Sequence, residues 1–295
     1  MDRRKRLFLN AGESATDDAL AAIADKNDVR IFPKVRVASI LDINGSGLSN
    51  EEYTYALKSE FDFVVASRGN QMPLFAVEFD EPHHLTDRVA IRRDSHKNNI
   101  CDRFGFPLLR IDAEYLRTYR KWTVLGWLIE LWFLYEAFNE AQEGGEIPPD
   151  EPFLYFSFFE PQTDGSNLFI SLDSVARSRM LSAAKAGLAK DISPETVSSG
   201  PRGEKGFTQS YCIFELLGDQ FIIGYAGLRD FGRFGGVGAW ELATDLAVAD
   251  AGERLLAFRN GQYTPADSGE LKELRSRTEG WIRQGMMCSD MPYSR

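Results

Sequence analysis

The residues able to do chemistry concentrate between Ser59 and Asp112. In the run LFAVEFD, strand alternation puts Phe75, Val77 and Phe79 on one face and Ala76, Glu78 and Asp80 on the other. Two carboxylates on one face repel unless a cation or a proton sits between them. Upstream, EFDFVVAS sets Asp62 among apolar neighbours, and pairing through the Arg68–Pro73 turn brings Asp62 towards Glu78. Acids converging from adjacent strands suit Mg²⁺, a hard cation that takes oxygen ligands and keeps several waters, with Mn²⁺ as a substitute. Downstream, helical spacing lines up Ala90, Asp94, Lys97, Cys101 and Phe104. Lys97 thus shares a face with residues expected to be buried and points towards the acids. A lysine there can orient a nucleophilic water and stabilise charge growing on a phosphate. Asp94 is expected to hold Lys97 or Arg93, and His96 falls off the stripe, facing solvent. Arg110 reads as an ion-pair partner or a phosphate contact. His83 and His84 follow the acid strand; one of them reads as a phosphate contact or an acid, the alternative being a backbone-bonded loop histidine.

The elements that must position these groups follow from periodicity and breakers. A helix is predicted over Asp17–Ala24, strands over Arg30–Leu41, Phe61–Ser67 and Leu74–Asp80, and a helix over Thr86–Phe104 ended by Gly105. The apolar run Phe106–Ile111 reads as a strand covered on both faces. Glu114–Glu143 reads mostly as helix, its Trp-rich part being core or a dimer contact. The order is α-β-β-β-α-β-α over residues 1–143. Residues 144–152, GGEIPPDEP, form a linker, and 153–295 a smaller α+β domain. There, Ser193–Gly206 reads as a loop, Gly218-Asp219 as a hairpin turn, and Ala239–Phe258 and Ser268–Gln284 as helices. The glycine-rich Gly224–Gly238 fits no phosphate-binding pattern and reads as a mobile loop.

Together these stretches resemble the PD-(D/E)xK nuclease superfamily, in particular its bacterial branch related to very-short-patch-repair-type endonucleases. The matching pieces, in order, are DFVVAS, VEFDEPHH, RRDSHK and GFPLLRID, and the likeness runs from about Glu13 to Tyr119. It implies a restriction-endonuclease-like mixed central sheet flanked by helices. It also implies Mg²⁺-dependent hydrolysis of DNA phosphodiester bonds, in repair, restriction or phage defence. Asp62 and Glu78 would bind the metal with Asp80 assisting, Lys97 and His84 would be catalytic, and Asp94, Arg110 and Glu13 would support them. The superfamily pattern has a lysine where Asp80 stands, and in this branch the helix supplies it, as Lys97.

The chain bounds these expectations. Its 295 residues suffice for a large core, and 43% hydrophobic with 26% charged residues is the composition of a globular protein. A net charge of −10 argues against an overall basic surface but leaves room for a local phosphate-binding patch. Three widely spaced cysteines, Cys101, Cys212 and Cys288, make neither a disulfide framework nor a zinc pattern, as in a reducing compartment. The basic start Arg3–Arg6 lacks a following apolar region, so it is not a signal peptide. The apolar run Trp122–Phe138 contains Glu130 and Glu136 and is too short to span a bilayer. The expected location is the cytoplasm. Two further readings stand beside the nuclease: a catalytically inactive nuclease fold serving as a binding or assembly module, and a hydrolase of small phosphate compounds.

Overall fold

The structure, a computed structural model, describes residues 10–80, 88–119, 122–161, 167–200 and 206–285. The chain packs as two units, Met1–Glu140 and Ala141–Arg295.

The first unit opens with α1 (Ala11–Ala24), whose N-terminus is capped by the Asn10 side chain accepting from Glu13 N at 2.7 Å. β1 (Val29–Arg36), the turn helix α2 (Val37–Ile40) and α3 (Asn50–Lys58) follow, α3 starting with a Ser49/Glu52 capping box. Then come β2 (Glu60–Ser67), β3 (Pro73–Phe79), α4 (Arg88–Phe104) and β4 (Leu108–Ile111). The four strands form one mixed sheet in the order β1-β2-β3-β4. The first two pairings are antiparallel and β3–β4 is parallel. Parallel neighbours need a long crossover, and the segment carrying α4 provides it.

Both sheet faces are covered. On one, Val64 and Ala76 pack with Val37, Ala56, Ile100, Cys101 and Phe106 from α2, α3, α4 and the turn after it. On the other, Phe75 meets Trp132 and Phe133 of α5 (Val124–Glu143) at ring-centroid distances of 4.9 and 6.5 Å. Gly12 lets α1 lie against Phe79, because a Cβ there would fall 2.1 Å from the ring.

Two sequence expectations change here. The predicted strand Arg30–Leu41 ends at Arg36, because β2 begins at Glu60 and offers no partner beyond the Arg36–Glu60 pair. The predicted helix Glu114–Glu143 is interrupted. A 3₁₀ turn at Ala113–Leu116 and the small hairpin β5 (Thr118–Tyr119) and β6 (Trp122–Thr123) precede α5. Threonine and aromatic residues favour that extended backbone, and Thr123 Oγ1 then accepts from Gly126 N at 2.9 Å to start the helix. Glu130 survives in this apolar helix because Lys26 and Asn27 bind it at 2.7 and 2.9 Å. Among the described residues no helix is long and apolar enough to cross a membrane.

The second unit contains the short pair β7 (Phe159–Pro161) and β8 (Asn167–Phe169), then α6 (Ser174–Lys185), β9 (Glu195–Ser198), β10 (Phe207–Leu216) and β11 (Gln220–Arg229). β12 (Arg233–Phe234), β13 (Val237–Gly238), α7 (Ala239–Arg259), α8 (Ser268–Arg277) and β14 (Ile282–Gly285) complete it. An antiparallel sheet runs β11-β10-β9-β14. The hairpin connection is the three residues 217–219, of which Gly218 and Asp219 are both in the left-handed region (φ 78° and 54°). The predicted loop Ser193–Gly206 contains β9, a strand too short to announce itself, whose Val197 is fully buried between two neighbours. The predicted helix Ser268–Gln284 stops at Arg277 so that β14 can pair with β9. The glycine-rich stretch is strand at its start: Gly224 and Gly227 lie within β11, and a Cβ on Gly224 would sit 2.2 Å from the Ala247 carbonyl of α7.

Candidate functional site

A row of charge crosses the first unit's sheet at one level. Pro33 pairs with Phe63 and Val35 with Phe61, which sets Lys34 of β1 beside Asp62 of β2. Phe63 pairs with Val77, which brings Glu78 of β3 next to Asp62, and Glu78 pairs directly with Arg110 of β4. Cross-strand partners project to the same face, so four strands present lysine, aspartate, glutamate and arginine in sequence.

The bonding is dense. Asp62 Oδ2 accepts from Phe79 N at 3.0 Å, and Asp62 N donates to Glu78 Oε1 at 3.2 Å. Lys97 Nζ reaches the same Oε1 at 2.7 Å, donates to the Glu60 carbonyl at 2.8 Å, and lies 5.4 Å from the Phe61 ring centroid. Lys34 Nζ bridges Asp62 Oδ1 at 2.7 Å and Glu13 Oε1 at 2.9 Å. Arg110 Nη1 grips both oxygens of Asp80 at 2.9 and 3.0 Å and pairs with Asp94 at 3.0 Å, while its Nε donates to Asn98 at 2.9 Å.

Burial sets the protonation. Loss of solvent pushes the Glu78 carboxyl up to about 7, with Lys97 pulling it back and Asp62 adding to the rise. Burial works to lower Lys97, but Glu78, Tyr55 and Asp62 outweigh it and hold the ammonium above its ordinary value. The same contest keeps Lys34 charged, its burial outweighed by Asp62 and Glu13. Cys101, on the same helix, is buried and its thiol is pushed up to about 12, so it packs as an apolar side chain.

The structure thus brings Asp62, Glu78 and Lys97 together, with Glu13 joined through Lys34. Asp80, expected beside them as a metal ligand, has both oxygens engaged by Arg110 instead. Asp94, expected to steady Lys97 or Arg93, pairs with Arg110. Arg110 is an ion-pair partner, the first of the two readings open for it. His96, expected in solvent, is half-buried, 3.2 Å from Glu51 and with its ring tilted 40° against Tyr55 at 5.6 Å. His83 and His84 lie outside the described residues. Sequence reasoning missed Lys34 and Asn98. Lys34 carries only the weak signal of a cation on the polar alternation of a strand. Its meeting with Asp62 depends on a pairing that skips the whole of α2 and α3.

The donor set is chemically suited to a hard divalent cation. Counted formally, the five carboxylates of Glu13, Asp62, Glu78, Asp80 and Asp94 face the three cations Lys34, Lys97 and Arg110, a surplus of two negative charges that the raised Glu78 carboxyl reduces near neutral pH. Among the described residues no group of three or more acids, histidines and cysteines forms a metal cage. Mg²⁺ does not require one, since it is held by one or two carboxylates while keeping its own waters.

Residues 5–122 match the family model described as a protein of unknown function (DUF2726). The match covers less than half of the chain, yet it contains the whole first sheet and every residue of the charged row. No curated protein and no solved structure matches the chain.

Proposed function

We propose that the first unit is a Mg²⁺-dependent nuclease that hydrolyses DNA phosphodiester bonds, on a restriction-endonuclease-like arrangement of its mixed sheet and helices. One observation carries this reading: Asp62 and Glu78 stand side by side on β2 and β3, with Lys97 2.7 Å from Glu78. Asp62 and Glu78 would hold the metal. When bound, Mg²⁺ supplies a Lewis acid for the phosphoryl oxygen and an acidified water.

The chain's own residues do the positioning. Lys97 pulls Glu78 towards its anionic form, against a burial that favours the neutral acid. The Phe79 amide fixes the rotamer of Asp62. Arg110, by holding Asp80 and Asp94 together, ties the end of β3 to α4, and so fixes the helix that delivers Lys97. The resemblance of the DFVVAS, VEFDEPHH, RRDSHK and GFPLLRID stretches to PD-(D/E)xK nucleases supports the same assignment.

A second reading, a catalytically inactive nuclease fold acting as a binding or assembly module, draws on a specific feature. Asp62, Glu78 and Asp80 each already have a cation within 3 Å. Supercoiled plasmid incubated with purified protein in Mg²⁺ or Mn²⁺, with an EDTA control, separates the two. Metal-dependent nicking supports the nuclease; intact plasmid under every metal contradicts it and leaves the binding module or a hydrolase of small phosphate compounds.

A further inference from the structure

We propose that Lys34 is a resident counter-ion at the acid row, occupying the face of Asp62 that a divalent cation must take, so that metal binding proceeds by displacing the Lys34 ammonium. The inference rests on the metal-site reading of Asp62 and Glu78.

The two lysines of the site differ in kind. Lys97 is buried, its side chain 8% exposed, and is pinned by Glu78, the Glu60 carbonyl and the Phe61 ring. Lys34 sits on an edge strand with its side chain 27% exposed, and its two partners are both carboxylates, Asp62 of the row and the buried Glu13 of α1. Lys34 therefore has a route to water, and Lys97 has none that does not break buried bonds.

The oxygens of Asp62 are divided in the same way. Oδ2 is committed to a backbone amide of β3, a fixed donor. Oδ1, the oxygen free of backbone bonding, is where the Lys34 ammonium rests at 2.7 Å. An ammonium placed between Asp62 and Glu13 has the charge sign and the oxygen partners of a bound cation. It neutralises acids that would otherwise repel each other and Glu78.

The backbone of Lys34 strengthens the point. Its φ is +54°, in the middle of a strand, where a non-glycine residue meets steric strain. The flanking pairs Pro33–Phe63 and Val35–Phe61 hold the register on both sides, so the strain is confined to the residue whose side chain reaches the acids.

Manganese titration of the full chain, followed by calorimetry at neutral pH, tests this without any catalytic readout. The variants are Lys34→Met, which removes the charge, and Lys34→Gly, which also suits the left-handed backbone and so keeps the fold safe. A partly exposed ion pair that must be broken weakens the competing ligand by about fivefold or more, so both folded variants are expected to bind Mn²⁺ at least about that much more tightly than the unmodified chain. Unchanged or weaker binding by folded variants, with the unmodified chain binding normally, overturns the role of Lys34 and leaves the metal site standing. Absence of Mn²⁺ binding in the unmodified chain and both variants overturns the metal-site reading, and this inference with it.

Discussion

Lys97 Nζ lies 2.7 Å from Glu78 Oε1, with both side chains more than nine-tenths buried. A buried pair of this kind adds little net stability, but breaking it strands a charge in a dry site. Glu78→Gln and Lys97→Met should therefore each cost about 3 kcal/mol. The double variant should cost clearly less than the two together, because no unpaired charge remains. Urea denaturation of all four proteins measures this coupling, and additive losses would show that the two groups do not depend on each other.

The pairing of Arg110 with Asp80 makes a contrasting prediction. Both Asp80 oxygens face the guanidinium, so Arg110→Met leaves two carboxylates, Asp80 and Asp94, without their shared cation. A loss of about 3–5 kcal/mol is expected, and Arg110→Lys should recover only part of it because one ammonium cannot replace both Nη1, on Asp80 and Asp94, and Nε, on Asn98. Asp80→Asn should lower the melting temperature yet leave Mn²⁺ affinity unchanged, whereas Asp62→Asn should abolish binding. Equal loss of affinity in both would return Asp80 to the metal set.

In the second unit, Asp245 is buried and accepts a hydrogen bond from Tyr155 at 2.9 Å. Burial first, and Asp173 next, push its carboxyl well above the ordinary aspartate range. A folded-state value above the unfolded one means that the protonated carboxyl stabilises the fold at low pH, and that this contribution is lost as pH rises from about 4 through the folded value. Asp245→Asn keeps a neutral side chain of the same shape at every pH. Its stability relative to the unmodified chain should therefore grow as pH is raised from acid to neutral; a constant difference across that range would show that the Asp245 carboxyl titrates alike in the folded and unfolded chain.

Two glycines of that unit should respond differently to alanine. At Gly224 a Cβ would meet the Ala247 carbonyl at 2.2 Å and the Ala251 amide at 2.5 Å, backbone atoms of α7 that cannot step aside. Gly224→Ala is expected to cost about 3 kcal/mol through overpacking. Gly218 has open space and only its φ of 78° to protect, so Gly218→Ala should cost about 1 kcal/mol. Thermal melts that rank the two in the opposite order would contradict this packing.

What was legible beforehand was local. A period of two puts Glu78 opposite Phe79, and a helical period puts Lys97 beside Cys101, so both acids and the lysine could be assigned to faces before any fold was known. Asp62 joined them because its strand is one turn away. Lys34 and the Arg110 pairings were hidden for the opposite reason: their partners lie in other elements, α1, β2, the end of β3 and α4, and the packing that brings them together is not written in any short window. β9 escaped because four residues flanked by serine, proline and glycine carry too little pattern, although the sheet then buries Val197 completely.

The most direct measurement is the rate of plasmid cleavage in Mg²⁺ by the unmodified chain, Asp62→Asn and Glu78→Gln, each verified as folded by circular dichroism. Cleavage by the unmodified chain, with a loss of at least about a hundredfold in both variants, is expected if the paired carboxylates hold the ion that stabilises the reacting phosphate. Cleavage at equal rates by all three, or by none of them, would contradict a hydrolytic centre at Asp62, Glu78 and Lys97.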